Sequence, residues 1–266
     1  MLNFSKKKGI SVTLPGGGMA GAHLLGFLDF LEEANVLVSE FTCVSIGSIV
    51  GAFYTNNIST REIARVFVEE LSMPGLASVF TDPARFISSL FPLIPPIFNP
   101  LRLCGGGLVD MLPLMRHLVS KYRLAPNEHL QIVASTVTRK PVLFKGIHYD
   151  LAIAKTGSGT IPGVMRPVTC KIDGRSTLLY DGGVYHLQPS EFGGPKAIVA
   201  KLFDLPGMNL LYPDREGDFI TNVGKPGSPV FGKLTAQDVE EMRQHGYARA
   251  REDLSVPLKR GLIPTS

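Results

Sequence analysis

Ser45 sits in the string Cys43-Val44-Ser45-Ile46-Gly47, and Asp181 opens the string Asp181-Gly182-Gly183. A third string, Pro15-Gly16-Gly17-Gly18-Met19-Ala20-Gly21, precedes both. A serine, a carboxylate and a bare glycine loop are the parts of covalent acyl transfer. The hydroxyl needs a proton acceptor within hydrogen-bond reach to become a nucleophile. The tetrahedral oxyanion needs backbone N–H groups aimed at it. Each string also has a second reading. Gly16, Gly18 and Gly21 satisfy the G-x-G-x-x-G dinucleotide fingerprint. Ser45 suits a helix N-cap, and Asp-Gly is an ordinary hairpin turn.

The elements around these strings decide how they are presented. Gly9–Leu14 is a β-prone run ending at Pro15, so it reads as a strand feeding the glycine loop. Ala20–Asn35 reads as a helix with Leu24, Leu25, Leu28 and Leu31 on one face. Phe41–Val44 is a short strand, and Ile46–Tyr54 is a helix that starts directly after Ser45. Gly47 and Gly51 share a face of that helix, as do Ser48 and Ala52, so it can approach a sheet closely. This is the construction of a G-x-S-x-G nucleophile elbow, with Cys43 at the first glycine position. The helix N-terminus adds partial positive charge beside the hydroxyl. Further helices are predicted over Ser59–Leu71, capped by Ser59 or Thr60, from Asp110 to about Tyr122, and over Thr235–Arg251. Strands are predicted over His129–Val137, over "STLLYD" after a turn within Asp173–Asp181, and over Ala197–Leu205. Strands alternating with helices predict an α/β fold whose parallel sheet is covered on both faces. No repeat or linker divides residues 1–266, which read as one domain.

An apolar insertion at about 72–107 interrupts the pattern. Pro92, Pro95, Pro96 and Pro100 keep Phe86–Gly107 from forming a long helix. It reads either as buried irregular chain or as an apolar flap that meets lipid, with Gly105, Gly106 and Gly107 as a joint. Hydrophobic residues make up 44% of the chain and charged residues 19%, which places it among globular proteins. The net charge of +4 favours an anionic membrane surface, while no basic block marks a nucleic-acid footprint. Cys43, Cys104 and Cys170 are too scattered for a disulfide framework or a zinc site, which fits a reducing compartment. No apolar run approaches the roughly 18 residues of a membrane span. The apolar run after Met1–Lys8 is too short for a cleavable signal peptide. The expected location is the cytoplasm or the periphery of a membrane.

Taken in order, "PGGGMAG", "CVSIG" and "DGG" resemble the patatin-like phospholipase family. The likeness extends over nearly the whole chain. "GGGLVDMLPLMRHL" is similar to the family's helix after its variable insertion, and "LQIVASTVTRKPVLF" to its next strand pair. "GSGTIPGVMRPV" resembles its small-residue segment before the acid, and "VFGKLTAQDVEEMRQHGYARA" its late helix. The resemblance implies a three-layer α/β/α fold with a mostly parallel central sheet. It implies acyl-ester hydrolysis by a Ser–Asp dyad, with no metal or other cofactor. Ser45 would be the nucleophile, Asp181 the base, and the N–H groups of Gly17, Gly18 and Met19 the oxyanion hole. The implied substrates are phospholipids, lysophospholipids and neutral acyl lipids, so the implied partner is a membrane lipid surface. Three rivals stand beside this reading. A Rossmann enzyme would use Glu40 on a ribose. An α/β-hydrolase would complete a triad with His245, the chain order Ser45, Asp181, His245 being the right one. A degenerate member of the patatin-like fold would bind lipid without cleaving it.

Overall fold

The computed structural model describes residues 2–72, 109–161, 165–184, 186, 189–203 and 214–266. The apolar stretch at 86–107, with its proposed joint and Cys104, lies outside them. The chain starts with β1 (Asn3–Phe4) and β2 (Ile10–Leu14), a 3-10 turn over Gly18–Ala22, and α1 (His23–Glu33). Next come β3 (Leu37–Val44), α2 (Ile46–Thr55) and α3 (Thr60–Val66), which continues as a π turn over Phe67–Leu71. Then follow α4 (Leu112–Lys121), β4 (Leu130–Thr136), β5 (Pro141–Lys145), α5 (Leu151–Gly159), β6 (Val168–Ile172) and β7 (Arg175–Asp181). Two 3-10 turns, Gly182–Val184 and Pro189–Phe192, lead to β8 (Ala197–Lys201), β9 (Phe219–Asn222) and α6 (Ala236–Lys259).

These strands form one sheet in the order β6-β7-β4-β3-β2-β8-β9, with β1 added to β3 and β5 to β4. The ladders β1/β3, β2/β3, β2/β8, β3/β4 and β8/β9 are parallel. Those of β4 with β5, β4 with β7 and β6 with β7 are antiparallel. The protein is thus a mixed α/β fold with a mostly parallel central sheet. Every residue of β2 and β8 is buried, as expected of central parallel strands covered on both faces. The packing of α2 follows from its glycines. A Cβ on Gly51 would stand 2.5 Å from Cys43 Sγ and 3.3 Å from Leu130 Cδ1, so the helix lies directly on that face. On the opposite face Ser11 and Thr42 meet Gly193 beside the turn Pro189–Phe192.

The register of β4 brings two distant strings together. Val133 pairs with Val44, the residue before Ser45, and the next residue, Ala134, pairs with Asp181. Because β5 pairs along Gln131–Ser135, β3 and β7 must share the other edge of β4 end to end. Farther out, α1 and α6 touch backbone to backbone. A side chain at Gly26 would collide with Arg243 O, and one at Gly246 with His23 O. Asp29 tightens this crossing by accepting from Arg243 Nε at 2.6 Å and from Thr60 Oγ1 at 2.6 Å. Thr235 and Asp238 close a capping box at the start of α6.

Several elements differ from the sequence reading. The helix expected from Ala20 opens as a 3-10 turn over Gly18–Ala22, entered through Gly18 at a left-handed φ of 56°. The strand before Ser45 begins at Leu37, earlier than Phe41, and α6 runs on past Arg251 to Lys259. Ser59 is the cap of α3, accepting from Glu62 N at 3.2 Å. Helix α5 and strands β6 and β9 were not foreseen. Helix α5 carries Gly157 and Gly159 at poor helix propensity, and β9 is only four residues long.

Candidate active site

Ser45 sits at the sharp turn from β3 into α2, with φ 52° and ψ −126°. A positive φ is costly for a residue with a Cβ, so the surroundings must hold it. Four hydrogen bonds do so. Ser45 N–H donates to Ser158 Oγ at 2.8 Å. Ser45 O accepts from Ser48 Oγ at 2.6 Å and from Ser48 N at 2.9 Å. Gly47 N–H donates to Pro15 O at 3.2 Å, and a side chain at Gly47 would strike Leu14 O. Although Ser45 is the N-cap residue of α2, its hydroxyl caps nothing. It donates instead to Asp181 Oδ2 at 2.9 Å.

Asp181 ends β7 and is 4% exposed. Its Oδ1 accepts from Gly183 N at 2.6 Å, and its own N–H donates to Thr160 O at 2.7 Å. The two glycines behind it have separate jobs. Gly182 passes against Val133 O with no room for a Cβ, which would also stand 2.6 Å from Val44 Cγ2. Gly183 turns its amide back onto the carboxylate, as in an Asx turn. Burial pushes the Asp181 carboxyl up to about 7, opposed by the hydrogen bonds from Gly183 and Ser45. Such a carboxylate can hold a hydroxyl proton near neutral pH.

An apolar cavity opens at Ser45. Met19, Ile46, Ile49, Met115 and Phe231 line it, together with Lys155 of α5. Lys155 is 1% exposed and its amine has no hydrogen-bond partner among the described residues. Nζ lies 5.1 Å from the centre of the Phe53 ring, and burial lowers its pKa to about 7. The glycine loop borders the same cavity through Gly18 and Met19. Here one expectation needs correction. The N–H of Met19 donates to Val230 O at 2.8 Å, so in this structure it is not open to an oxyanion. A side chain at Gly18 would collide with the same carbonyl, which explains why Val230 can come so close. No described group accepts from the N–H of Gly17 or Gly18.

The rival partners lie elsewhere. His245 Nδ1 pairs with Val223 O at 3.1 Å, and its ring packs 5.2 Å from that of His23. His186 Nδ1 is 2.7 Å from Glu191 Oε1. His23 is fully buried and its pKa falls to about 4, chiefly through burial; its ring nitrogens meet Met242 O and Ser228 Oγ, each at 2.8 Å. Glu40 lies within β3, paired with Lys145 at 3.1 Å, and not at the strand end that a ribose ligand requires. Cys43 is fully buried under Gly51, and burial keeps its thiol protonated. Sequence reasoning missed Ser158, Lys155 and Val230. The "GSG" string was in view, but nothing local says that its serine will face Ser45.

Fold and site together define a mixed α/β protein with a serine and an aspartate paired where neighbouring strands end, beside an apolar cavity. No protein-family model matches the chain, and no curated protein matches it. Among solved structures, it resembles a chain in the heterodimeric ExoU–SpcU complex from the type III secretion system of Pseudomonas aeruginosa. The TM-score is 0.50 at 16% identity, over 95% of this chain and 52% of that one. A structure of the type III effector protein ExoU matches at TM-score 0.43 and 18% identity, over 95% of this chain and 53% of that one. VipD from Legionella pneumophila matches at TM-score 0.46 and 11% identity, over 94% and 67%. The chain therefore spans about half the length of the ExoU structures that it matches.

Proposed function

We propose that this protein is a patatin-like acyl hydrolase that cleaves the acyl esters of phospholipids or lysophospholipids. The observation that carries the reading is the 2.9 Å hydrogen bond from Ser45 Oγ to Asp181 Oδ2, formed by a strained serine at the mouth of an apolar cavity. In the proposed reaction Asp181 accepts the hydroxyl proton as Ser45 Oγ attacks the ester carbonyl carbon. The C=O electron pair moves onto oxygen, where the Gly17 and Gly18 amides and the N-terminus of α2 stabilise it. The intermediate then collapses, and the leaving alkoxide takes the proton from Asp181. Water repeats the sequence on the acyl-enzyme: it gives a proton to Asp181, and Ser45 recovers a proton as the fatty acid leaves. The substrate class rests on the apolar lining and on the family resemblance. The +4 charge supports peripheral association with an anionic bilayer. Among the described residues, no helix is long and apolar enough to cross a membrane.

The decisive experiment is labelling by a fluorophosphonate, followed by fatty-acid release from phospholipid vesicles. Wild type is expected to label at Ser45, and Ser45→Ala to stay unlabelled and to release no acid. The Val230 carbonyl on the Met19 amide favours a second reading, a closed fold that holds lipid without cleaving it. A folded wild-type protein that stays unlabelled but binds phospholipid vesicles would establish that one instead.

A further inference from the structure

We propose that Ser158 is a positioning residue for Ser45, and that Ser158–Thr160, at the end of α5, sets the spacing of the Ser45–Asp181 pair. The proposal rests on the acyl-hydrolase reading. Ser158 is fully buried. Its hydroxyl has one proton, and that proton is donated to Val133 O at 2.6 Å. An oxygen lone pair is thereby turned to the Ser45 N–H, which donates to it at 2.8 Å. The acceptor is not arbitrary, since Val133 is the residue that pairs with Val44 in the sheet. Two residues farther on, Thr160 O accepts the N–H of Asp181 at 2.7 Å. One short segment therefore holds the backbone of both members of the pair, although they are 136 positions apart in the chain.

The elbow needs such a fastening. A non-glycine residue at positive φ persists only where its surroundings over-determine it. The carbonyl side of Ser45 is held from within α2, by Ser48. Its amide side is held across the fold, by Ser158. Seating of α5 is tight as well: a Cβ on Gly157 would stand 2.8 Å from Leu179 Cδ1, on the strand that ends in Asp181. Without the Ser158 hydroxyl, the Ser45 amide loses its acceptor and the turn relaxes. The serine oxygen then drifts from the carboxylate, while the cavity that takes the acyl chain is untouched. The loss belongs in kcat and not in KM.

The test compares wild type, Ser158→Ala and Ser158→Thr, the last keeping the hydroxyl. For each, the fraction folded and the melting temperature are measured first. Fluorophosphonate labelling rate, kcat and KM on a soluble p-nitrophenyl ester are then expressed per folded molecule. Ser158→Ala is expected to lower labelling rate and kcat by about 10- to 100-fold, the scale of a displacement of about 1 Å, with KM within about twofold. Ser158→Thr is expected to recover most of the rate. If that variant does not fold, the kcat-against-KM split in the alanine variant decides alone. A wild type that labels, with a Ser158→Ala protein that labels within about twofold of it per folded molecule, overturns the proposal and leaves the hydrolase reading standing. A folded wild type that never labels overturns both.

Discussion

In the proposed reaction Asp181 must be ionised, although its carboxyl is buried. Its carboxyl is raised from 3.8 to about 7, first by desolvation, with the Gly183 amide and the Ser45 hydroxyl pulling it back. Only the carboxylate accepts a proton, so labelling and turnover are expected to rise with pH through about 7 and to level off above it. A rate that is flat from below pH 5 to pH 8 would remove Asp181 as the base. Asp181→Asn keeps the shape but loses the acceptor. It is expected to match Ser45→Ala, a loss on the order of 10⁶ in a well-characterised serine hydrolase. His245→Ala and His186→Ala are expected to stay near wild type, because those rings serve Val223 O and Glu191. Turnover of the four variants on a p-nitrophenyl ester checks this. A dead histidine variant with intact circular dichroism would restore the triad.

At the scale of elements, the elbow depends on a size match between β3 and α2. Cys43 stands at the first elbow position, and its thiol fills the space that Gly51 leaves on the facing helix. Gly51→Ala alone puts a methyl 2.5 Å from Cys43 Sγ, and overpacking of this kind typically costs about 1–3 kcal/mol. Cys43→Gly alone opens a void in the core. The double variant exchanges the two volumes and is expected to be more stable than either single one, a coupling that urea unfolding of all four proteins measures. Strictly additive changes would show that the helix does not rest on the cysteine. This contact also shows what the sequence carried. The small-residue spacing of α2 was legible because it is local, and so were the three strings that border the site. The pairing of Asp181 beside Val44 comes from the register of β4, between residues far apart in the chain. Val230 reaches Met19 from a loop after β9. No pattern within a short window encodes those approaches, and α5, with its two glycines, gave no helical signal of its own.

For the whole molecule, two buried groups make stability depend on pH in a way that the site imposes. Asp181 keeps its proton up to about 7 when folded, but loses it near 3.8 when unfolded. Between those values the native state binds the extra proton, so Asp181 lowers stability as pH rises from about 4 to 7, and the loss persists above. Lys155 has the opposite displacement. Its amine loses its proton near 7 when folded and near 10.5 when unfolded. There the unfolded state binds the extra proton, so the burden of the buried ammonium is full below about 7 and is relieved as pH rises toward 10.5. The two burdens overlap most near pH 7, where the Asp181 carboxyl ionises in the folded protein. Lys155→Met should therefore raise the melting temperature most in mildly acidic buffer, and Asp181→Asn most in alkaline buffer. The double variant is expected to gain most near neutrality. Each group is displaced by several pH units at about 1.4 kcal/mol per unit, so a gain of at least about 5 °C is expected there, given about 2–4 °C per kcal/mol at this size. Thermal melts of the four proteins from pH 4 to 10 test this, and a gain that does not vary with pH would show that neither group's pKa differs between the folded and unfolded states. The stabilised double variant should also be catalytically dead, since its added stability comes from removing the charge that the proposed chemistry requires.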